Sequence, residues 1–163
     1  MNLEDIARIG GEAGALLKAR GQTVAVADGA SGGLISAGLL ALPGASAYYV
    51  GGGVIYTLKG RRLLLDHEPG TFRAFKGVTE DYACALAEAV RARFGADWGI
   101  AESGAAGPGV HPYGVPSGRS AIAVVGPNGA ASIVVETGHE DRLANMAAFA
   151  AGGLALLRDT LSG

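Results

Sequence analysis

The stretch from Thr23 to Gly33, Thr-Val-Ala-Val-Ala-Asp-Gly-Ala-Ser-Gly-Gly, constrains the fold of this chain more than any other. It begins as an apolar, β-branched run typical of a buried strand and then breaks into small residues. Leu34, Ile35 and Leu39 follow at helical spacing. The pattern predicts a strand that enters a glycine-rich turn and continues as a helix. Free backbone N–H groups and the positive end of a helix dipole at such a turn favour an anion or an oxyanion.

The remaining sequence alternates helical and strand patterns. The first half predicts a helix from Leu3 to a stop at Gly21, a strand from Tyr48 to Tyr56 and a helix from Leu58 to Leu65. A helix from an N-cap at Thr79 to Phe94 and a short strand from Trp98 to Glu102 follow. The chain then predicts a hairpin that pairs Ser120–Val125 with Ala131–Val135, and a last helix from about Glu140 to Leu161. This order favours an α/β fold, a three-layer α/β/α sandwich with a mixed sheet, in a single domain over residues 1–163.

Two segments are candidates for a ligand site, because ligands of such folds bind at the carboxyl ends of the strands. Asp28 to Gly33 follows the first strand, and Ser103 to Gly118, a long loop rich in glycine and proline, follows the third. His111 and Tyr113 in this loop are expected to face the turn. Three glycines, Gly51 to Gly53, interrupt the second strand; they indicate either a bulge or tight helix contact, or the close approach of a ligand to the backbone.

Charge and composition exclude several classes of partner. A net charge of −2 and a pI near 5.9 give no basic surface for nucleic acid, and no apolar run is long enough to span a membrane. The N-terminal residues lack the pattern of a signal peptide, so we expect a cytoplasmic protein.

Cys84 is the single cysteine, and the three histidines lack the spacing of a metal site. We expect neither a metal nor a cofactor.

Six short motifs occur in one order along nearly the whole chain. They are Ala27–Gly33 (Ala-Asp-Gly-Ala-Ser-Gly-Gly), Pro43–Ser46 (Pro-Gly-Ala-Ser), Gly52–Tyr56 (Gly-Gly-Val-Ile-Tyr), Gly77–Glu80 (Gly-Val-Thr-Glu), Ser103–Pro108 (Ser-Gly-Ala-Ala-Gly-Pro) and the pair Asp141-Arg142. Their series resembles the CinA C-terminal domain family, the competence/damage-inducible proteins that include nicotinamide-nucleotide amidohydrolases. The resemblance implies hydrolysis of the carboxamide of nicotinamide mononucleotide to nicotinic acid mononucleotide and ammonia. It also implies a serine nucleophile assisted by a lysine and a tyrosine, without a metal.

The residues that the resemblance assigns to catalysis are largely replaced. The serine of the family falls on Gly29, which has no nucleophile, and the lysine falls on Arg61, which stays protonated and cannot act as a base. A family arginine near the start of the last helix falls on Met146. Tyr56 keeps its position. Ser31 is the one hydroxyl left in the turn, and it fits either an N-cap or anion-binding group or a relocated nucleophile.

Three functions follow from this pattern. The first is a catalytically impaired relative, a pseudoenzyme, that binds a small anionic or nucleotide ligand. The second is an active amidohydrolase that uses Ser31 or an activated water, with Tyr56 as its partner. The third is a structural module that forms a homo-oligomer. The residues assigned to the ligand are Asp28, Gly29, Ala30, Ser31, Gly32, Gly33, Tyr56, Arg61, Ser103, Gly104, Ala105 and Arg142.

Overall fold

The computed structural model describes all 163 residues. Its elements, in chain order, are α1 (Leu3–Arg20), β1 (Val24–Asp28), α2 (Leu34–Leu40), β2 (Tyr49–Val54), α3 (Leu58–Leu65), α4 (Glu80–Phe94), β3 (Trp98–Ala105), β4 (Arg119–Gly126), β5 (Gly129–Glu136) and α5 (Arg142–Ser162). The five strands form one sheet in the order β2-β1-β3-β4-β5. The pairs of β1 with β2 and β3 are parallel, whereas β4 pairs antiparallel with β3 and β5.

Helices cover both faces of the sheet, and β1 shows how the sequence directs this. Val24 and Val26 point to one face and belong to the larger core cluster with residues of α1, α2 and α5. Ala25 and Ala27 point to the other face and pack with residues of α4. A strand whose alternate residues are all apolar is buried on both faces, as expected for the parallel part of such a sheet. The predicted α/β/α sandwich with a mixed sheet is confirmed.

The helix ends lie where the sequence predicts them. Gly21 and Gly95 both adopt a left-handed conformation directly after α1 and α4, with φ of 64° and 61°. Thr79 caps α4, because its hydroxyl accepts a hydrogen bond from the backbone N–H of Tyr82 at 3.3 Å. None of the helices combines the length with the apolar character needed to cross a bilayer.

Strand β3 is longer than the sequence predicts. The pattern ends it at Glu102, yet the backbone continues in register with β4 to Ala105, which pairs with Arg119. Small residues such as Gly104 have low strand propensity, but the neighbouring strand supplies partners for their backbone groups and overrides it. Glu102 therefore lies inside a strand.

The three glycines of β2 serve packing. A Cβ atom at Gly51 would meet the ring of Phe94, and one at Gly53 would come within 3.0 Å of Leu64. A Cβ at Gly52 would overlap the backbone of Val26 in β1. None of the three lines the cavity at the carboxyl ends of β1, β2 and β3. Of the two interpretations of this segment, the structure agrees with tight contact.

Candidate functional site

A cavity of about 590 Å³ lies at the carboxyl ends of β1, β2 and β3. This is the edge of the sheet at which the sequence places a ligand site. Its lining comes from the turn after β1, the segment that joins β2 to α3, the start of α4, the end of β3 with the loop that follows, and the start of α5. The side chains that give it chemical character are Tyr56, Arg61, Tyr82, Glu102, Ser103, His111, Tyr113 and Arg142.

Two thirds of the residues assigned to the ligand line this cavity. They are Gly29, Ala30, Tyr56, Arg61, Ser103, Gly104, Ala105 and Arg142, and the loop residues His111 and Tyr113 line it with them. The other four residues, Asp28, Ser31, Gly32 and Gly33, are not part of the lining. Lys59 is exposed on α3 and also lies outside it, whereas Arg61, two residues later, lies inside.

The position that would hold a nucleophile is closed by packing. Gly29 is buried, and a Cβ atom added to it would overlap the backbone carbonyl oxygen of Glu102 and lie 3.3 Å from the Glu102 carboxylate. Residues with a side chain at this position therefore need a different arrangement of the turn against β3. The packing at this position fits a residue without a side chain.

Ser31 is fully buried, and its hydroxyl donates a hydrogen bond of 2.6 Å to Oδ1 of Asp28. The same Asp28 carboxylate accepts the backbone N–H groups of Ile35 and Ser36, at 3.0 and 3.3 Å, at the start of α2. Asp28 thus caps this helix, although it precedes it by six residues. The hydroxyl of Ser31 faces this buried carboxylate, and Ser31 is not part of the cavity lining.

Glu102 is a lining residue of the cavity that the sequence does not predict. Its carboxylate is 1% exposed and accepts the backbone N–H groups of Gly29 at 3.0 Å and Ser31 at 2.8 Å on Oε2. The hydroxyl of Ser120 donates to Oε1 at 2.6 Å. The sequence signal was a single acid between apolar and small residues of a strand, where a charged side chain needs buried partners.

This arrangement corrects the expectation of free N–H donors in the glycine-rich turn. The N–H groups of Gly29 and Ser31 are bound to Glu102, and those at the start of α2 are bound to Asp28. The reason is that these donors are buried, and buried donors are satisfied from within when a side chain can reach them. The chain therefore provides its own anions for the turn.

The surroundings of Glu102 act on its pKa in opposite directions. Burial raises the pKa of the Glu102 carboxyl, the hydrogen bonds from Ser120 and Ser31 lower it, and the negative charge of Asp28 raises it; the net direction is upward. No Lys, Arg or His side chain forms a salt bridge with either carboxylate. Three donors on one carboxylate nevertheless match the acceptor pattern of its ionised form.

Arg61 is held by aromatic rings. Its guanidinium carbon lies 4.3 Å from the ring centroid of Phe72 and 5.7 Å from that of Tyr82, and one terminal nitrogen donates to the Tyr82 hydroxyl at 3.0 Å. The buried Nε atom has no hydrogen-bond partner. Since Arg61 forms no salt bridge, its positive charge remains available to the cavity.

Arg142, the first residue of α5, forms the exposed rim of the cavity together with Tyr56. Its guanidinium donates to the backbone carbonyl of Gly107 at 2.6 Å and to the Tyr56 hydroxyl at 2.9 Å. It forms no salt bridge with a carboxylate. These contacts fix the guanidinium and still leave its charge uncompensated. Tyr56 and Arg142, both assigned to the ligand from the sequence, therefore lie together.

Two residues of α5 hold the neighbouring loops. The Asn145 side chain is fully buried, accepts the hydroxyl of Thr137, and donates to the backbone carbonyls of Ala106 and His139, both at 2.9 Å. Met146 packs with its methyl group against the turn, since a Cβ at Gly32 would come within 2.7 Å of it. Met146, the position to which the resemblance assigns an arginine, thus makes an apolar contact. No group of three or more histidine, cysteine or acidic side chains is positioned to hold a metal ion.

The fold and the cavity define an α/β/α protein with a small-molecule-sized site at the carboxyl edge of a mixed sheet. The family model of the CinA C-terminal domain matches residues 7–161, and the chain belongs to this family. A CinA-like protein of Prochlorococcus marinus is 40% identical over 76% of the chain, and a putative competence-damage inducible protein of Desulforamulus reducens is 40% identical over 77%. The chain spans about three tenths of the length of these relatives, 29% and 30%.

Solved structures agree with this assignment. A CinA superfamily protein of Klebsiella pneumoniae superposes with a TM-score of 0.87 at 25% identity and covers 99% of both chains. The competence/damage-inducible protein CihA of Agrobacterium tumefaciens superposes with a TM-score of 0.86 at 27% identity, covering 98% of this chain and 96% of its own. Both alignments extend over nearly all elements of the sheet and helices described above.

Proposed function

We propose that this protein binds a small anionic ligand of nucleotide size in the cavity and does not hydrolyse an amide. The observation that carries the proposal is that two arginines without carboxylate partners, Arg61 and Arg142, share one cavity of about 590 Å³. Arginine binds phosphate and carboxylate groups through paired N–H donors. A volume of this size is typical of small-molecule sites.

The proposed lack of hydrolysis rests on three features of the same site. Acyl transfer needs a nucleophile, a base and donors for the oxyanion. Gly29 supplies no nucleophile, and Arg61 stays protonated. The N–H groups of Gly29 and Ser31, which resemble an oxyanion hole, are bound to the carboxylate of Glu102. Ser31 is buried against Asp28 and receives no nucleophilic role in this proposal.

The test combines ligand binding with ammonia release. Thermal unfolding is measured with nicotinamide mononucleotide, nicotinic acid mononucleotide, adenosine monophosphate and phosphate; a ligand that binds only the folded state at 100 times its Kd adds about 2.7 kcal/mol of stability. The shift should disappear in Arg61→Met and Arg142→Met and persist in Arg62→Met, which alters an exposed arginine of α3 outside the cavity. Absence of any shift, or steady ammonia release from nicotinamide mononucleotide, would contradict the proposal.

A second property, formation of a homo-oligomer, is favoured by a separate observation. Strand β2 is an edge of the sheet, and large apolar side chains are exposed on it and on the adjoining α3: Val50, Val54, Leu58, Leu63 and Leu64. Exposed edges and apolar patches are the surfaces through which chains associate. Sedimentation velocity should give a mass above that of the monomer, and Leu58→Lys with Leu63→Lys should reduce it to the monomer. A monomeric parent protein would refute this.

A further inference from the structure

The cavity has opposite charges at its two ends. Its rim carries Arg142, which is exposed, and Arg61 lies at its side. Its buried part, the floor, includes the turn at Gly29 and Glu102, a lining residue that is only 1% exposed. Glu102 is the single acidic residue of the lining. A ligand that extends from rim to floor therefore passes from a positive to a negative environment.

The negative end is fixed in place by hydrogen bonds. The Glu102 carboxylate is held on two backbone N–H groups and the Ser120 hydroxyl, at distances of 2.6 to 3.0 Å. Asp28, a second buried carboxylate, lies on the other side of Ser31. Neither has a cationic partner among the salt bridges of the structure. A ligand phosphate at the turn would have to displace Glu102 from these N–H groups.

We infer that Glu102 determines the charge selectivity of the cavity, excluding an anionic group from the floor and directing that group to Arg61 and Arg142. The preferred ligand then carries an anionic group at one end and a neutral or cationic hydrogen-bond donor at the other. An ionised carboxylate offers about four acceptor sites, and three are used internally, so one remains for such a donor. This inference rests on the proposed binding function and specifies which ligands the site selects.

The test uses three probes that share a phosphate and a two-carbon chain and differ in their far end. Phosphoethanolamine ends in an ammonium group, ethyl phosphate is neutral there, and phosphoglycolate ends in a carboxylate. Affinities are measured by calorimetry at pH 8. The wild-type protein should bind them in this order, with about a tenfold or larger difference between the first and the last, because charges interact strongly in a partly desolvated site.

Glu102→Gln is the diagnostic variant. The glutamine carbonyl can accept the N–H groups of Gly29 and Ser31, and its amide can donate to Ser120, so the hydrogen bonds are retained while the charge is removed. The difference between the end probes should fall to within about threefold. Glu88→Gln, which removes an exposed charge on α4 outside the cavity, should leave the order unchanged. If Glu102→Gln does not fold, the affinities of the three probes for the wild-type protein still test the inference, because they require no variant.

The outcomes separate this inference from the proposed function. If all three probes bind the wild-type protein equally and Arg142→Met weakens all of them, the binding function stands and the role of Glu102 is refuted. If the order persists in Glu102→Gln, Glu102 is likewise not its cause. If no probe binds the wild-type protein at millimolar concentration while a nucleotide of the thermal-unfolding series does, the selectivity is overturned and the binding function stands. If neither set binds, both are overturned.

Discussion

At Gly29 the missing side chain and the surrounding packing act together. The residue lies directly against the backbone of Glu102, which also places its carboxylate on the Gly29 N–H group. A serine at this position would need more than its hydroxyl, because β3 occupies the space of its Cβ atom. Glycine at position 29 is thus tied to a close contact between the turn and β3.

Gly29→Ala tests this contact. The added methyl group overlaps the Glu102 carbonyl oxygen, and we expect a loss of about 1–3 kcal/mol in the free energy of unfolding, as for other overpacked core sites. Gly11→Ala is the matched control, because a Cβ at this helical glycine meets nothing within 4 Å. It should raise stability by about 0.5–1 kcal/mol. Urea denaturation measures both; a neutral Gly29→Ala would show that the turn moves away from β3 at no cost.

Asn145 provides a second prediction for a single residue. Replacing it with leucine removes the donors to Ala106 and His139 and the acceptor for Thr137 in a fully buried position. Unsatisfied buried polar groups cost about 1–3 kcal/mol each, so Asn145→Leu should destabilise by several kcal/mol.

Thr137→Val is the graded control for Asn145, because it removes one of these hydrogen bonds and should cost about 1 kcal/mol. Hydrogen exchange of the loop after β3 provides the readout. Exchange should accelerate in Asn145→Leu, since Ala106, at the start of that loop, loses its contact with α5. Unchanged exchange there would mean that Asn145 stabilises α5 alone and does not hold the loop.

Among the elements, the helix ends differ in how well their sequences fit. Gly21 and Gly95 end α1 and α4 in the left-handed conformation, but Asp66 takes the same conformation after α3, with φ of 47°. A residue with a Cβ atom is strained there, whereas glycine is not. The ion pair of Asp66 with Arg93, at 3.9 Å and largely exposed, compensates little for this strain.

Adding a glycine after α3 and removing the glycine after α4 should have opposite effects on stability. Asp66→Gly should raise the free energy of unfolding by about 1 kcal/mol, and with it the thermal midpoint, because it relieves the left-handed strain. Gly95→Ala should lower stability by a similar amount, because it introduces that strain after α4. Calorimetric scans of both variants beside the parent protein measure the two shifts. A destabilised Asp66→Gly would assign a larger role to the ion pair with Arg93.

For the molecule as a whole, the sequence predicts the architecture well because its signals are local. Helix stops at Gly21 and Gly95, the cap at Thr79 and the hairpin around Asn128 each follow from a few neighbouring residues, and all lie where expected. The extension of β3 to Ala105 depends on β4, 14 residues further along, and has no local signal. Long-range pairing overrides strand propensity there.

The site divides in the same way. The edge of the sheet is predicted from the order of strands and helices, and Tyr56, Arg61 and Arg142 from the resemblance. The structure places these three residues at one cavity. The buried contacts of Ser31 and Glu102 are not predicted, because they join residues 71 positions apart. A turn sequence shows that N–H groups exist, but only the tertiary structure shows which acceptors they bind.

The buried carboxyl of Glu102 also predicts how the stability of the whole molecule depends on pH. Its pKa is raised in the folded protein above the ordinary value of 4.5, chiefly by burial. The folded state therefore binds this proton more tightly than the unfolded state does. The resulting contribution to the free energy of unfolding is at its maximum below the unfolded pKa and is lost as the pH rises through the folded pKa.

Glu102→Gln isolates this contribution, because the amide does not titrate. Relative to the variant, the wild-type protein should lose stability as the pH rises from about 4.5, by up to about 1.4 kcal/mol per pH unit. Urea denaturation of both proteins from pH 4 to pH 8 gives the difference at each pH. Glu12→Gln is the contrasting control: hydrogen bonding to Arg158 lowers the pKa of Glu12, so its difference curve should have the opposite slope near and below about pH 4.5 and flatten above it. Parallel curves for the wild type and Glu102→Gln would mean that the hydrogen bonds from Ser120 and the turn fully offset the burial of this carboxylate.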